Sequence, residues 1–295
     1  APAGYTPAAF FLHFGSAYHT GQAAIDRHLQ FFRHTGMDFV KVQFEQEMAT
    51  CAISSPADWA RAPRLTEADF EPTVQVVQGL VEAAGSEALV ILTLYSPFMW
   101  AAYLAGDGVL HEHLAQHPTQ AAKALEISTE NVLTLVRACK RAGVDGFYAS
   151  SQGGESFRFP GTDLFERLVK PTDLAVWDEM RSCRFNILHI CDYDGAYADL
   201  SPFLDYPGHV VNCSLDVGGR HMTPAEASAL FGRPYMGGLE RKGVLATGSP
   251  TEVRRAAQAV LAQAPARFIL AADCTVPGDT SWDNLKAAID AAHGE

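Results

Sequence analysis

Short apolar runs of five to eight residues, rich in Val, Ile, Phe and Tyr, alternate along the chain with longer segments whose apolar positions recur every three to four residues. The first pattern is that of buried parallel strands and the second that of amphipathic helices covering them. Eight strands are expected: Ala8–Phe14, Phe39–Phe44, Ala88–Tyr95, Gly146–Ser150, Phe185–Cys191, Val210–Leu215, Tyr235–Leu239 and Phe268–Ala272. Helices are expected over Ala23–Thr35, where Ile25, Leu29 and Phe32 share a face and Gly36 ends the element, and over Thr129–Arg141. Ser249-Pro250-Thr251-Glu252 reads as a capping serine, a first-turn proline and a reciprocating glutamate, starting a helix that runs to about Gln263. A last helix is expected over Asp283–Ala292.

No Pro/Ser-rich linker or low-complexity tract divides this pattern, so residues 1–295 are read as one domain. Eight strands with intervening helices in a chain of this length predict a (β/α)8 barrel. A doubly wound open sheet would call for a Gly-rich phosphate turn after the first strand, and none stands there.

Composition narrows the function. The net charge of −12, without a Lys/Arg-rich run, argues against gripping a phosphate backbone, so no nucleic-acid partner is expected. No stretch approaches the roughly 20 consecutive apolar residues of a membrane helix. Six thinly spread cysteines suit a reducing compartment and a cytoplasmic protein.

In a barrel the site lies where the strands end. Those ends carry His13, Gln43 and Glu45, Tyr95, Glu155, His189 and Cys191, Asp216, Glu240, and Asp273 with Cys274. Side chains two apart in a strand face the same way, so His189 and Cys191 can both point into the mouth, where Cys274 can join them. His, Cys and Cys form a donor set for zinc with one open position, the catalytic arrangement. The same three residues are equally compatible with buried packing, and the other four cysteines read as core or helix-face thiols. His111, His113 and His117 stand in a polar stretch without partners and read as a solvated helix or loop.

The runs Ile187–Cys191, Gly237–Gly243 and Phe268–Cys274, continuing through Pro277 to Asn284, resemble the uroporphyrinogen decarboxylase superfamily, and more narrowly its zinc-dependent branch, the methylcobamide:coenzyme M methyltransferases. The likeness is best from about Gly143 onward. It implies a (β/α)8 barrel, zinc on His189, Cys191 and Cys274, a methyl-corrinoid donor such as methylcobalamin on a separate corrinoid carrier protein, and a small thiol acceptor. Glu155, Asp216 and Glu240 are then expected as catalytic carboxylates, and His13, Gln43, Glu45 and Tyr95 as substrate contacts. The decarboxylases carry an arginine-rich segment at the end of the first strand, whereas Phe10–Ser16 has no arginine, and Asp192 replaces the glycine common after the His-x-Cys pair. Two other readings stand beside this one. One is a metal-free decarboxylase of a tetrapyrrole-like substrate, using Asp216 and anchored by Arg158, Arg220 and Arg241. The other is a non-catalytic barrel that binds a corrinoid or thiol.

Overall fold

Seven of the eight expected strands form in the computed structural model, which describes residues 4–44 and 50–295. They are β1 (Phe39–Val42), β2 (Leu89–Tyr95), β3 (Gly146–Ser151), β4 (Ile187–Ile190), β5 (Val210–Cys213), and, after a two-stranded ribbon of β6 (Asp216–Val217) and β7 (Arg220–His221), β8 (Tyr235–Leu239) and β9 (Phe268–Ala272). The main sheet is parallel throughout, in the order β1-β2-β3-β4-β5-β8-β9. Every residue of β1, β3, β4, β5 and β9 is buried, as expected of strands covered by helices on one face and facing a closed interior on the other.

The eighth expected strand, Ala8–Phe14, is not a regular strand, and this corrects the count. The segment lies beside both edges of the sheet, with parallel bridges from Ala8 to Leu270 and from Leu12 to Val276. Asp38 N–H donates to the Ala8 carbonyl at 3.0 Å, and Phe14 N–H to the Gln43 carbonyl at 2.9 Å. Side chains take two other donors: Ala8 N–H donates to Asp38 Oδ2 at 2.6 Å and Leu12 N–H to Gln43 Oε1 at 3.2 Å. A backbone donor held by a side chain is lost to the ladder, so contact persists without a continuous strand.

The four expected helices form, and others that were not expected, such as Glu67–Ala84 and Lys170–Met180, stand among them. Gly21–Thr35 ends on Gly36 in the left-handed conformation, and Pro250–Leu261 starts with the reciprocal Ser249/Glu252 cap. Pro118–Arg141 is eleven residues longer at its start than its apolar face suggested, and the last helix spans Trp282–His293. Among the described residues no helix is long and apolar enough to cross a membrane.

One buried contact makes the fold sensitive to acid. His28 Nδ1 donates to the Ala24 carbonyl at 2.6 Å, while Nε2 accepts the Gln43 N–H at 2.7 Å, which fixes a neutral ring inside the core. Burial lowers the pKa from 6.5 to about 4. The unfolded chain therefore binds a proton below pH 6.5 that the fold refuses, and the stability this histidine contributes at neutral pH is lost progressively as pH falls from 6.5 to about 4. Denaturant unfolding should show a loss of about 3 kcal/mol over that window from this group. A His28→Gln variant should lack that part of the slope; an unchanged slope would assign it elsewhere.

Candidate metal centre

His189 sits in β4, Cys191 follows that strand by one residue, and Cys274 lies two residues beyond β9. In a flat sheet β4 and β9 would be three strand spacings apart, roughly 14 Å at ~4.8 Å each. Cys274 Sγ nevertheless lies 3.3 Å from His189 Nε2, so the sheet curls until these ends meet across its interior. The ligand atoms of His189, Cys191 and Cys274 all lie within 4.8 Å of one another, and the three residues are buried. They are the only such His/Cys/carboxylate trio among the described residues.

The interior beneath holds the imidazole in place. Tyr148, from β3, stacks on His189 with ring centroids 4.8 Å apart, and its hydroxyl donates to Asn212 Oδ1 at 2.5 Å. Asn212 in turn donates to the carbonyls of Met236 and Ala272, joining β5 to β8 and β9. His189 Nδ1 is buried without a hydrogen-bond partner among the described residues. Gln152, just past β3, donates to Cys191 Sγ at 3.5 Å.

The two thiols are shifted in opposite directions. Cys274 is held well below the ordinary thiol value, first by the hydrogen bond from Cys191 and also by His189, while that same hydrogen bond, together with burial, pushes Cys191 well above it. Two sulfurs and an imidazole nitrogen brought this close form a soft donor set that fits a zinc ion. Cys139 and Cys213, by contrast, are core thiols pushed up to about 12 by burial.

Charged residues flank both sulfurs. Arg241 Nη1 donates to Asp192 Oδ1 at 2.9 Å and to Asp273 Oδ2 at 3.0 Å, and the N–H groups of Arg241 and Cys274 both donate to Asp273 Oδ1. Burial raises both carboxyls and Arg241 opposes the rise. Asp273 stands among the expected strand-end residues, but nothing in the sequence pairs it or Asp192 with Arg241; the only signal is an acidic residue directly beside each cysteine.

The other expected site residues scatter. Glu155 is buried, but outside the trio: its Oε2 accepts Arg158 Nε at 2.6 Å and the N–H of Gly153 at 2.8 Å. Gly153 has φ +104°, which turns the chain back onto that carboxylate. Asp216 does not face the interior as expected; it is exposed in the β6–β7 ribbon, bound to His221. Strand β5 stops at Cys213, and Ser214 Oγ accepts the Asp216 N–H in a turn that carries it outward. Glu240 and His13 are also exposed. Gln43 is buried and accepts the N–H groups of Leu12 and Phe14. Tyr95 is half-buried and stacks on Tyr103 at 5.4 Å. Glu45 lies outside the described residues. Of the other histidines, His113 accepts the Trp59 indole N–H at 3.0 Å.

Comparison with known proteins bears on the whole chain. A methyltransferase from Methanosarcina mazei superposes with a TM-score of 0.79 at 15% identity, covering 98% of this chain and 93% of that one. A B12-independent methionine synthase from Shewanella sp. W3-18-1 gives 0.62 at 14% identity, covering 98% and 96%. A mannanase from Bacillus subtilis gives 0.52 at 11% identity, covering 97% and 84%, so these likenesses speak for the fold and not the reaction. No curated protein matches the chain in sequence. The family model described as uroporphyrinogen decarboxylase (URO-D) matches residues 40–295, and the chain belongs to that family.

Proposed function

We propose that the protein is a zinc-dependent methyltransferase that moves a methyl group from a methyl-corrinoid to a small thiol. The observation that carries this reading is the buried His189, Cys191 and Cys274 trio, with ligand atoms within 4.8 Å of one another. Zn²⁺ held there would take up the acceptor thiol in its remaining position and keep it deprotonated as the nucleophile. The chain's own residues do the rest. Tyr148 and Asn212 orient the imidazole, Gln152 donates to the Cys191 sulfur, and the curled sheet keeps bulk water from the thiolates. Two of the fold relatives are named for methyl transfer and methionine synthesis, which agrees with this reading. Residues 8–14 would complete the barrel as its irregular eighth stave. The corrinoid would arrive on a separate carrier protein, and six cysteines without a disulfide suit a cytoplasmic enzyme.

The arginines weigh against the metal-free decarboxylase. Arg158 is bound to Glu155 and Asp194, Arg220 to Glu226 and Arg241 to Asp192 and Asp273, so each cation proposed to anchor substrate carboxylates already has an acidic partner. Elemental analysis of purified protein should find one zinc per chain, and methylcobalamin with a panel of small thiols should yield the methyl thioether. Metal-free protein that is fully active would end this reading. Turnover only with a corrinoid-free methyl donor would move the assignment toward the B12-independent relative.

A further inference from the structure

We infer that Arg241 is a positioning residue that sets the separation of Cys191 and Cys274 by tying together the two loops that carry them. This deepens the zinc reading and rests on it. Neither cysteine lies within a strand: Cys191 follows β4 and Cys274 stands beyond β9, and the backbone bonds that hold them there, Cys191 N–H to the Ser151 carbonyl and Asp273 N–H to the Leu239 carbonyl, run to neighbouring strands and do not join the two segments to each other. Asp192 directly follows the first cysteine and Asp273 directly precedes the second. A single guanidinium nitrogen, Arg241 Nη1, reaches both carboxylates, at 2.9 and 3.0 Å. The tie is anchored again through the backbone, because Asp273 Oδ1 accepts both the Arg241 and the Cys274 N–H. The Arg241, Asp192 and Asp273 side chains are only 12 to 16% exposed, so solvent screens the ion pairs little. A ligand one residue from a charged, partly buried clamp takes its position from that clamp, and supports of this kind govern metal affinity in step with the ligands themselves. A lysine keeps the charge, but its compact ammonium sits on a differently shaped stem, so it preserves the tie only in part.

The test compares wild-type, Arg241→Met, Arg241→Lys and Asp192→Ala proteins, with zinc affinity from competition against a chromogenic chelator and the absorption spectrum of the Co²⁺-substituted forms. The expected result is zinc binding weakened by about 10- to 100-fold in Arg241→Met. Arg241→Lys should be weakened less, and the Co²⁺ ligand-field and sulfur charge-transfer bands should shift in both. Asp192→Ala removes one arm of the tie while keeping Arg241 on Asp273, and should weaken binding even if Arg241→Met fails to fold. A general loss of stability would lower the melting temperature without moving the Co²⁺ bands of the folded fraction. Wild-type affinity and spectrum in Arg241→Met, or in Asp192→Ala where the first does not fold, overturns the inference and leaves the zinc reading intact. Wild-type protein that takes up neither Zn²⁺ nor Co²⁺ overturns both.

Discussion

Replacing Cys274 with serine is expected to abolish stoichiometric zinc binding and thiol methylation while the protein stays folded. A change around a ligand costs about 10- to 100-fold in metal affinity, and loss of the ligand itself costs more. Serine keeps the shape of cysteine, but its hydroxyl stays protonated at neutral pH and is a harder donor, so both the charge and the softness that suit zinc are lost. The fold has little to lose, because the buried core runs from Ala8 to Ala292 and includes residues from every strand of the main sheet. A chain of 295 residues does not need a metal to hold such a core. Circular dichroism and thermal melting should therefore be close to wild type, with elemental zinc and turnover on methylcobalamin both lost. A serine variant that keeps one zinc per chain and full turnover would remove Cys274 from the metal site. Cys191→Ser should behave alike, since it removes the other sulfur donor of the same trio.

The trio was legible in the sequence for a definite reason. Period-two alternation puts His189 and Cys191 on one face, and β4 and β9 are buried runs whose C-terminal ends open onto one interior. The same reasoning failed at Asp216 because it extended the fifth strand of the main sheet to Leu215. The ladder ends at Cys213, and two residues of turn are enough to send a carboxylate outward. It failed at Ala8–Phe14 because hydrophobic runs report burial and not hydrogen bonding. Asp38 and Gln43, which intercept the backbone donors there, are polar residues outside the run. Glu155 shows a third limit. Its place after β3 was visible, but its partner Arg158 was not, because a buried ion pair has no hydrophobic period.

Arg158→Met is expected to be the most destabilising single change in the loop that follows β3, by about 3–5 kcal/mol, the cost of leaving one partner of a buried pair charged and alone. The Arg158 and Glu155 side chains are both fully excluded from solvent and 2.6 Å apart. The guanidinium also lies 5.0 Å from the ring centres of Phe98 and Phe157 and reaches Asp194 at 3.1 Å. Methionine fills part of that space but leaves Glu155 with the Gly153 N–H and an Oε1 that has no partner among the described residues. Burial already raises the Glu155 carboxyl and Arg158 opposes the rise, so without Arg158 it should move further up. A carboxyl whose folded pKa lies above its unfolded value destabilises the fold as pH rises through that folded value, and taking up a proton relieves the strain. The loss in Arg158→Met, read by urea denaturation, should therefore be larger at pH 8 than at pH 5. The double variant Glu155→Gln with Arg158→Met removes the stranded charge and should recover most of the loss at pH 8. A single variant within about 1 kcal/mol of wild type at pH 8, the range of an exposed pair, would show that the pair is not desolvated in solution. The same loop carries Gln152, whose amide donates to Cys191 Sγ. Loosening it should also weaken zinc binding, which links the stability of this turn to the chemistry of the trio.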